Sequence, residues 1–294
     1  MKDYDVIEKI KKITPFFKYK IIDEKCTELN FTDKDCIFYG TIRQLNIFEK
    51  KELLKNISNL KNLEKLDLRK NRLNDISELD LPNLKKLDLA SNYLNKIPEN
   101  IKHLNLEYLN LGVNCLEILP SWFSNFKQIE VLKLHKNKIK SIDEICEFKK
   151  LKFLNLYLNK IKDIPKFVYE FKNLEFFSWG LSGIDYISDG IQNLKKLKWL
   201  SLVANKIKNL PDELCLLQEL IGLRIHKNKL KTLPVNFGNL KNLKQLTLYK
   251  NNLEKLPQSF FNIKFEKLNL AYNKLNIKEY NLKADWIKLD NNIC

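Results

Sequence analysis

Glycine and histidine are scarce in this sequence, with seven glycines and three histidines among 294 residues. Loops that cradle phosphate groups are rich in glycine, and no G-x-x-x-x-G-K-[ST], H-E-x-x-H or G-x-S-x-G pattern occurs. The histidines are dispersed at His103, His135 and His226, so they are not expected to share one metal ion or one nucleophile. The sequence therefore predicts a protein that is not an enzyme, with no catalytic residues, no metal site and no cofactor.

Long apolar runs are also missing, since none approaches the roughly 18 residues of a membrane-spanning helix. The N-terminus reads MKDYDVIEKIKKITPFF, in which charges interrupt the apolar pairs, so a secretory signal is not expected and the mature protein is predicted to start at Met1. The sequence has no C-x-x-C pair and no cluster of cysteines at either end, so it offers no disulfide framework. This absence favours reduced thiols in a cytoplasmic protein. The six cysteines are Cys26, Cys36, Cys115, Cys146, Cys215 and Cys294.

The charge is strongly basic, with a formal net value of +16. Such a balance raises nucleic acid or an anionic membrane as a partner. Lysine far outnumbers arginine, however, and arginine is the better residue for forked phosphate contacts. We interpret most of the charge as solvated surface lysine, expect no membrane partner and no nucleic acid, and keep polyanion binding as an alternative.

What the sequence does contain is a repeat of the form L-x-x-L-x-L-x-x-N. Successive asparagine positions from Asn71 to Asn273 are 21 to 23 residues apart, within the spacing of leucine-rich repeats. Eleven units are found. Their asparagine positions are Asn71, Asn92, Asn114, Asn137, Asn159, Ser182, Asn205, Asn228, Asn251, Asn273 and Asn292.

The chain resembles the leucine-rich repeat family, with mixed 22- and 23-residue repeats of the intracellular type, L-x-x-L-x-L-x-x-N-x-L-x-x-L-P. Six of the eight prolines hold one repeat position. Units without that proline, such as NRLNDISELDLPNL, resemble repeats in regulatory subunits of type 1 protein phosphatase. That likeness leaves regulation of a phosphatase or another enzyme as a second alternative function.

The resemblance implies an α/β fold, a right-handed solenoid or horseshoe with a parallel β-sheet on its concave face. Proline favours 3₁₀ or extended backbone on the convex side, and a helical turn is expected in units without it. Residues 1–41 are predicted to cap the array, with Val6, Ile7, Ile10 and Ile13 on one helical face and a short strand at 29–31. Residues 42–294 form the array, beginning with a weak unit at Ile42, Leu45 and Ile47, with Lys50 at its asparagine position.

One position of each strand forms a column on the predicted concave face. Parallel strands lie about 4.8 Å apart, so side chains of one column touch from repeat to repeat. This column is apolar from the third to the seventh unit, and basic residues surround it, as is typical of a protein-binding surface. We predict a partner-binding patch of seven residues: Tyr108, Phe153, Tyr157, Phe176, Trp199, Val203 and Arg224.

The unit LEFFSWGLSGI at 174–184 departs from the repeat, because Phe177 and Trp179 replace leucines and Ser182 replaces asparagine. Such a departure favours either a functional site or a tolerated irregularity. The aromatic column has an alternative too, since its rings could pack on one another simply to complete the fold. Asp67 and Asp88, each flanked by basic residues, are interpreted as solvated surface pairs. We predict a monomeric scaffold that binds an unidentified protein.

Overall fold

A computed structural model describes residues 2–14, 17–31, 45–276, 278, 280, 282, 284–290 and 292. The chain forms two compact units, residues 1–150 and 151–294. The predicted boundary between a cap and the array, at 41 and 42, lies outside the described residues and stays a prediction. No described helix is long and apolar enough to cross a membrane.

The first unit opens with helix α1 (Asp3–Ile13) and a hairpin of strands β1 (Lys18–Ile22) and β2 (Lys25–Asn30). Val6, Ile7 and Ile10 of α1 are fully buried, whereas Ile13 is only half-buried. The Asp3 carboxylate accepts a hydrogen bond from the Cys26 backbone N–H at 2.7 Å, which ties the helix to the hairpin. Strand β2 continues in parallel with the first repeat strand, so the predicted strand near residues 29–31 is confirmed up to Asn30.

Helix α2 (Ile47–Ser58) occupies the place where a weak first repeat was expected. The prediction was wrong for Ile47, which begins the helix, while Ile42 lies outside the described residues. The reason is a capping box: the Asn46 side chain accepts from the N–H groups of Phe48 and Glu49, and the Glu49 carboxylate accepts from the Asn46 N–H. Lys50 therefore lies in the first turns of a helix and does not replace a repeat asparagine.

Eleven strands follow, one in each predicted repeat. In the first unit they are β3 (Lys65–Asp67), β4 (Lys86–Asp88), β5 (Tyr108–Asn110) and β6 (Val131–Lys133). In the second unit they are β7 (Phe153–Asn155), β8 (Phe176–Ser178), β9 (Trp199–Ser201), β10 (Gly222–Arg224), β11 (Gln245–Thr247), β12 (Phe265–Asn269) and β13 (Ala284–Lys288). Within each unit these strands pair in parallel, which confirms the α/β leucine-rich repeat solenoid in both.

The repeat asparagines form the predicted ladder of buried hydrogen bonds. The Asn228 amide donates to the carbonyl oxygens of Leu202 and Ile225 at 2.9 and 3.0 Å, and its oxygen accepts from the Ile207 N–H at 3.1 Å. These backbone groups lie where the strand has ended and no sheet partner is at hand, so the side chain supplies one. Within each unit, a ladder asparagine therefore links its repeat to the neighbouring one, and its role is structural.

From Asn71 to Asn273, the residue before each ladder position has a positive φ. Leu181 at 52° and Ala204 at 55° are examples, although neither is glycine. Their N–H groups donate to the carbonyl oxygens of Val203 and His226 in the next repeat, each at 2.9 Å. These bonds offset the cost of a left-handed backbone, which is of order 1–3 kcal/mol for such residues.

The segments opposite the sheet are short 3₁₀ helices. Five of them follow directly on a repeat proline, as Asp212–Leu216 follows Pro211, which confirms the role predicted for that residue. The helical turn expected in units without proline was wrong for Asp143–Ile145 and Asp189–Asn193, which are 3₁₀ as well. Repeats of 22 or 23 residues leave too short a return path for a full α-helix, with or without proline.

Candidate functional site

The exposed face of the sheet in the second unit carries three columns of side chains. Each column takes one equivalent position from every repeat: two positions lie on the strand and one lies just after it. The outer column is Phe153, Phe176, Trp199, Gly222, Gln245, Lys267 and Trp286. The middle column is Asn155, Ser178, Ser201, Arg224, Thr247, Asn269 and Lys288. The inner column, just past the strands, is Tyr157, Gly180, Val203, His226, Tyr249 and Ala271.

A cavity of about 520 Å³ lies between the outer and inner columns, and we call it the aromatic cavity. Phe176 and Trp199 form one wall. Small polar side chains of the middle column form the floor, because serine leaves space where the first unit has aspartate or lysine. The residues that line it are Asn155, Tyr157, Phe176, Ser178, Trp199, Leu200, Ser201, Val203, Arg224 and His226.

Two glycines set the positions of the aromatic rings. A Cβ at Gly222 would collide with the Trp199 ring, so the ring lies directly on the glycine backbone. A Cβ at Gly180 would approach the Tyr157 ring and the Val203 carbonyl oxygen, both at 2.7 Å. The rings are therefore held against the sheet, which keeps the aromatic cavity open between them.

Further ring contacts extend the two walls. The rings of Phe153 and Phe176 stack in parallel with centroids 4.0 Å apart, and His226 stacks on Tyr249 at 4.3 Å. The Arg224 guanidinium lies over the Trp199 ring, 5.6 Å from its centroid. Such pairs stabilise each other by about 0.5–1.5 kcal/mol. The walls are thus ordered before any ligand arrives, which lowers the entropic cost of binding.

The charge at the aromatic cavity is positive. None of its lining residues is acidic. Burial, together with the charges of Lys227 and Arg224, lowers the pKa of His226 to about 4. The His226 ring is consequently neutral at physiological pH, and Arg224 is the charged group of the lining.

Of the seven predicted residues, Tyr108 alone belongs to the first unit. Tyr108 lies in the first unit, where it lines a polar cavity of about 530 Å³. Its hydroxyl donates to the Asp88 carboxylate at 3.0 Å and accepts from the Lys133 ammonium at 3.2 Å. Burial is the main cause that raises the pKa of Tyr108 above its usual range. The Tyr108 hydroxyl therefore belongs to a charged network, and the place of Tyr108 in the partner-binding patch stays a prediction.

Asp67 and Asp88 are not the solvated pairs that the sequence suggested. Asp88 is 8% exposed and accepts from the Asn110 amide at 2.9 Å, and burial is the largest cause that raises its pKa. The Asp67 carboxylate holds Arg69 through two side-chain nitrogens at 3.0 and 2.6 Å. The prediction was wrong because Arg69 contacts both carboxylates, and Tyr108 and Asn110 also bind the carboxylate of Asp88, which leaves little of either group exposed to water.

Five of the seven predicted residues line the aromatic cavity: Tyr157, Phe176, Trp199, Val203 and Arg224. Phe153 stacks behind Phe176. The sequence reasoning missed the polar floor and His226, and it gave no role to Gly222. A signal was present, because the middle column changes from charged residues in the first unit to Ser178 and Ser201 in the second.

The irregular unit supplies Phe176 and Ser178 to the lining, whereas its off-pattern residues serve the core and leave space. Phe177 and Trp179 are fully buried and meet edge to face at 5.8 Å, so they are core residues. Ser182, which replaces the ladder asparagine, reaches only the Gly180 carbonyl oxygen at 3.3 Å. Gly180 then leaves room for Tyr157. No group of three or more histidine, cysteine, aspartate or glutamate residues in the described ranges could hold a metal ion.

A Gly222→Ala variant tests whether the seat under Trp199 shapes the site. We expect a folded protein, because no positive φ is involved, but a displaced Trp199 ring and an altered Trp fluorescence spectrum. Binding at the aromatic cavity should weaken by about tenfold, since a misplaced hot-spot ring loses most of its contact area. Gln245→Ala, in the same column and outside the lining, is the matched control. Unchanged fluorescence and affinity in Gly222→Ala would contradict this prediction.

Known proteins share this arrangement of strands. A family model described as leucine rich repeat matches residues 82–139, and a second one matches residues 62–84. The leucine-rich repeat protein LIC12759 of Leptospira interrogans is 30% identical, with 79% of this chain and 70% of that chain covered at a TM-score of 0.63. The chain belongs to the leucine-rich repeat family. Members of this family are generally protein-interaction scaffolds and typically not catalysts.

Two further solved structures are similar. The internalin InlF of Listeria monocytogenes is 21% identical, with 98% of this chain and 82% of that chain covered at a TM-score of 0.72, which shows the fold alone. The ectodomain of the Arabidopsis receptor kinase HAESA, in complex with an N-terminally extended IDA peptide hormone ligand, is 25% identical, with 81% of this chain and 44% of that chain covered at a TM-score of 0.68. No curated protein matches this leucine-rich repeat chain in sequence.

Proposed function

We propose that this leucine-rich repeat chain binds a partner protein by receiving a segment of it in the aromatic cavity. The observation that carries the proposal is the cavity itself, with apolar rings on its walls and polar groups on its floor. Rings supply contact area that is desolvated on binding, and floor groups supply hydrogen bonds to a peptide backbone. The HAESA ectodomain, which binds a peptide hormone, gives further support from a related fold.

The edge of the cavity adds apolar surface. Leu158 and Leu181, at the turn positions with positive φ, are 39% and 41% exposed. They follow Tyr157 and Gly180 directly in the chain and so add exposed apolar surface next to the inner column. An exposed patch of this kind on a soluble scaffold marks an interaction site more often than a scattered leucine does.

Polyanion binding is the second candidate, and the charge distribution is the observation that favours it. Basic residues outnumber acidic ones nearly two to one in residues 151–294, whereas they are closer to balance in residues 1–150. The cytoplasmic location and the monomeric state predicted from the sequence belong to the same proposal and stay predictions.

A salt titration separates the two candidates. The immobilised chain would be tested for binding to a single-stranded oligonucleotide, to heparin and to its captured partner protein, from low salt to about 0.5 M, where the Debye length falls to a few ångströms. Protein binding through the aromatic cavity should change by less than about tenfold over this range. A polyanion ligand should lose several orders of magnitude, because each neutralised phosphate releases counterions. Tight oligonucleotide binding with a steep salt slope, and no salt-resistant partner, would replace the first candidate by the second.

A further inference from the structure

Arg224 stands at one end of the aromatic cavity with its charge unmatched. Its guanidinium lies over the Trp199 ring, which in turn rests on Gly222, so the charged group is held in place by the wall of the cavity. The side chain is exposed. Across the described ranges, no carboxylate forms an ion pair with it.

Arg69 in the first unit provides the contrast. That arginine also lies on the exposed face of a sheet, but Asp67 binds it through two nitrogens and Asp88 approaches it at 3.5 Å. The middle column of the first unit thus supplies carboxylates to its own arginine. In the second unit the same column has Asn155, Ser178 and Ser201 next to Arg224, so a carboxylate has to come from a ligand.

The surroundings favour a negative group at this end. Lys227 is exposed and follows His226, which lines the cavity; burial lowers the pKa of His226 most, and the positive charges of Lys227 and Arg224 lower it further. Within the described part of the chain, the hydroxyl groups of Ser178 and Ser201 have no hydrogen-bond partner. They are available to donate to a carboxylate or to a peptide carbonyl. A planar guanidinium and two hydroxyls form a donor set for a carboxylate.

We propose that the segment received by the aromatic cavity is acidic: an aspartate or glutamate side chain binds Arg224 while an adjacent aromatic or aliphatic side chain packs between Trp199 and Tyr157. This inference rests on the proposed function and specifies its ligand class. The basic excess of residues 151–294 favours a segment with several carboxylates over a single chain terminus.

The experiment begins with selection of a displayed library of random linear peptides on the whole chain. The enriched peptide is then synthesised with its acidic residue intact or replaced by the corresponding amide, each with an amidated C-terminus, and the intact peptide is also made with a free C-terminus. Affinities are measured by calorimetry for the wild type, Arg224→Gln and Lys208→Gln. Lys208 is an exposed lysine outside the three columns, so its variant makes the same change of net charge.

We expect enrichment of aspartate or glutamate next to an apolar residue. The acid-to-amide change should weaken binding to the wild type and to Lys208→Gln by about tenfold, as for a hydrogen bond to a charged group. In Arg224→Gln the same change should have little effect, because the two groups act as a pair. Arg224→Lys should retain part of the preference, since it keeps the charge and loses the planar contact with Trp199.

The outcomes separate the two proposals. Enriched peptides that need Phe176 and Trp199 but carry no acidic residue would overturn the acidic ligand and leave the proposed function in place. If the acid-to-amide change lowers the affinity equally for the wild type and Arg224→Gln, the acidic ligand is again overturned and the proposed function remains. Affinity that depends on a free C-terminus would assign Arg224 to a chain end instead. Peptides that bind Phe176→Asp as well as the wild type, or an unenriched library, would count against both.

Discussion

Replacing Asn228 by alanine is expected to lower the free energy of unfolding by about 3 kcal/mol. The change removes three hydrogen bonds to carbonyl oxygens, of which the one to His226 is long at 3.4 Å, and leaves the Ile207 N–H, in a fully buried residue, without its acceptor. The carbonyl oxygens of Leu202 and Ile225 keep one ladder partner each, from Asn205 and Asn251. Most of the loss therefore comes from the orphaned N–H group. Urea unfolding followed by circular dichroism measures it.

Asn236→Ala is the control for this prediction, because Asn236 is exposed opposite the sheet and makes no side-chain capping bond. It should change the free energy of unfolding by less than about 0.5 kcal/mol. Hydrogen exchange gives a local readout, since the Ile207 amide should exchange much faster in Asn228→Ala. Equal stability of the two variants would show that water replaces the ladder asparagine at little cost.

The repeat strands were predictable because one rule fixes each of them. Alternating leucines bury one face of a three-residue strand, as Leu223 is buried between Gly222 and Arg224, and the asparagine fixes where the chain turns away. The same strand and turn then recur in the eleven repeats. The rule fails at the N-terminal end, where Ile47 and Lys50 fit a degraded repeat about as well as they fit a helix. The pairing of Asn46 with Glu49 was the signal that decides for the helix.

The candidate site was predictable only in part, because columns show which side chains are neighbours and not what space they leave. Phe176 and Trp199 were found from their column. The aromatic cavity exists because Ser178 and Ser201 are small and because Gly180 and Gly222 let the rings lie flat. The surroundings of Tyr108 were missed for the same reason: its column is apolar in sequence, but Asp88 and Lys133 reach it from the next column and bind its hydroxyl.

Loss of partner binding is the largest functional effect we expect, from the double variant Phe176→Asp, Trp199→Ala. Trp199→Ala alone should weaken binding by about 1–3 kcal/mol, the range for an aromatic hot spot. The aspartate then places a charge against the apolar part of the ligand and opposes its desolvation, so the double variant should not bind measurably. Both side chains are only half-buried, so the fold should persist. Calorimetry with the captured partner or the selected peptide measures the effect.

Trp286→Ala is the matched control, because Trp286 lies in the same column of the same unit, is 49% exposed and does not line the aromatic cavity. Trp286→Ala should bind with the same affinity as the wild type. If exposed tryptophan side chains bound the ligand nonspecifically, Trp199→Ala and Trp286→Ala would lose affinity equally. A double variant with a wild-type circular dichroism spectrum that still binds within twofold would rule out the aromatic cavity as the binding site. Phe153 remains beside the altered residue 176 in the double variant. If the double variant loses only part of its affinity and a further Phe153→Ala change abolishes the rest, the ligand contact lies further along the outer column, at Phe153.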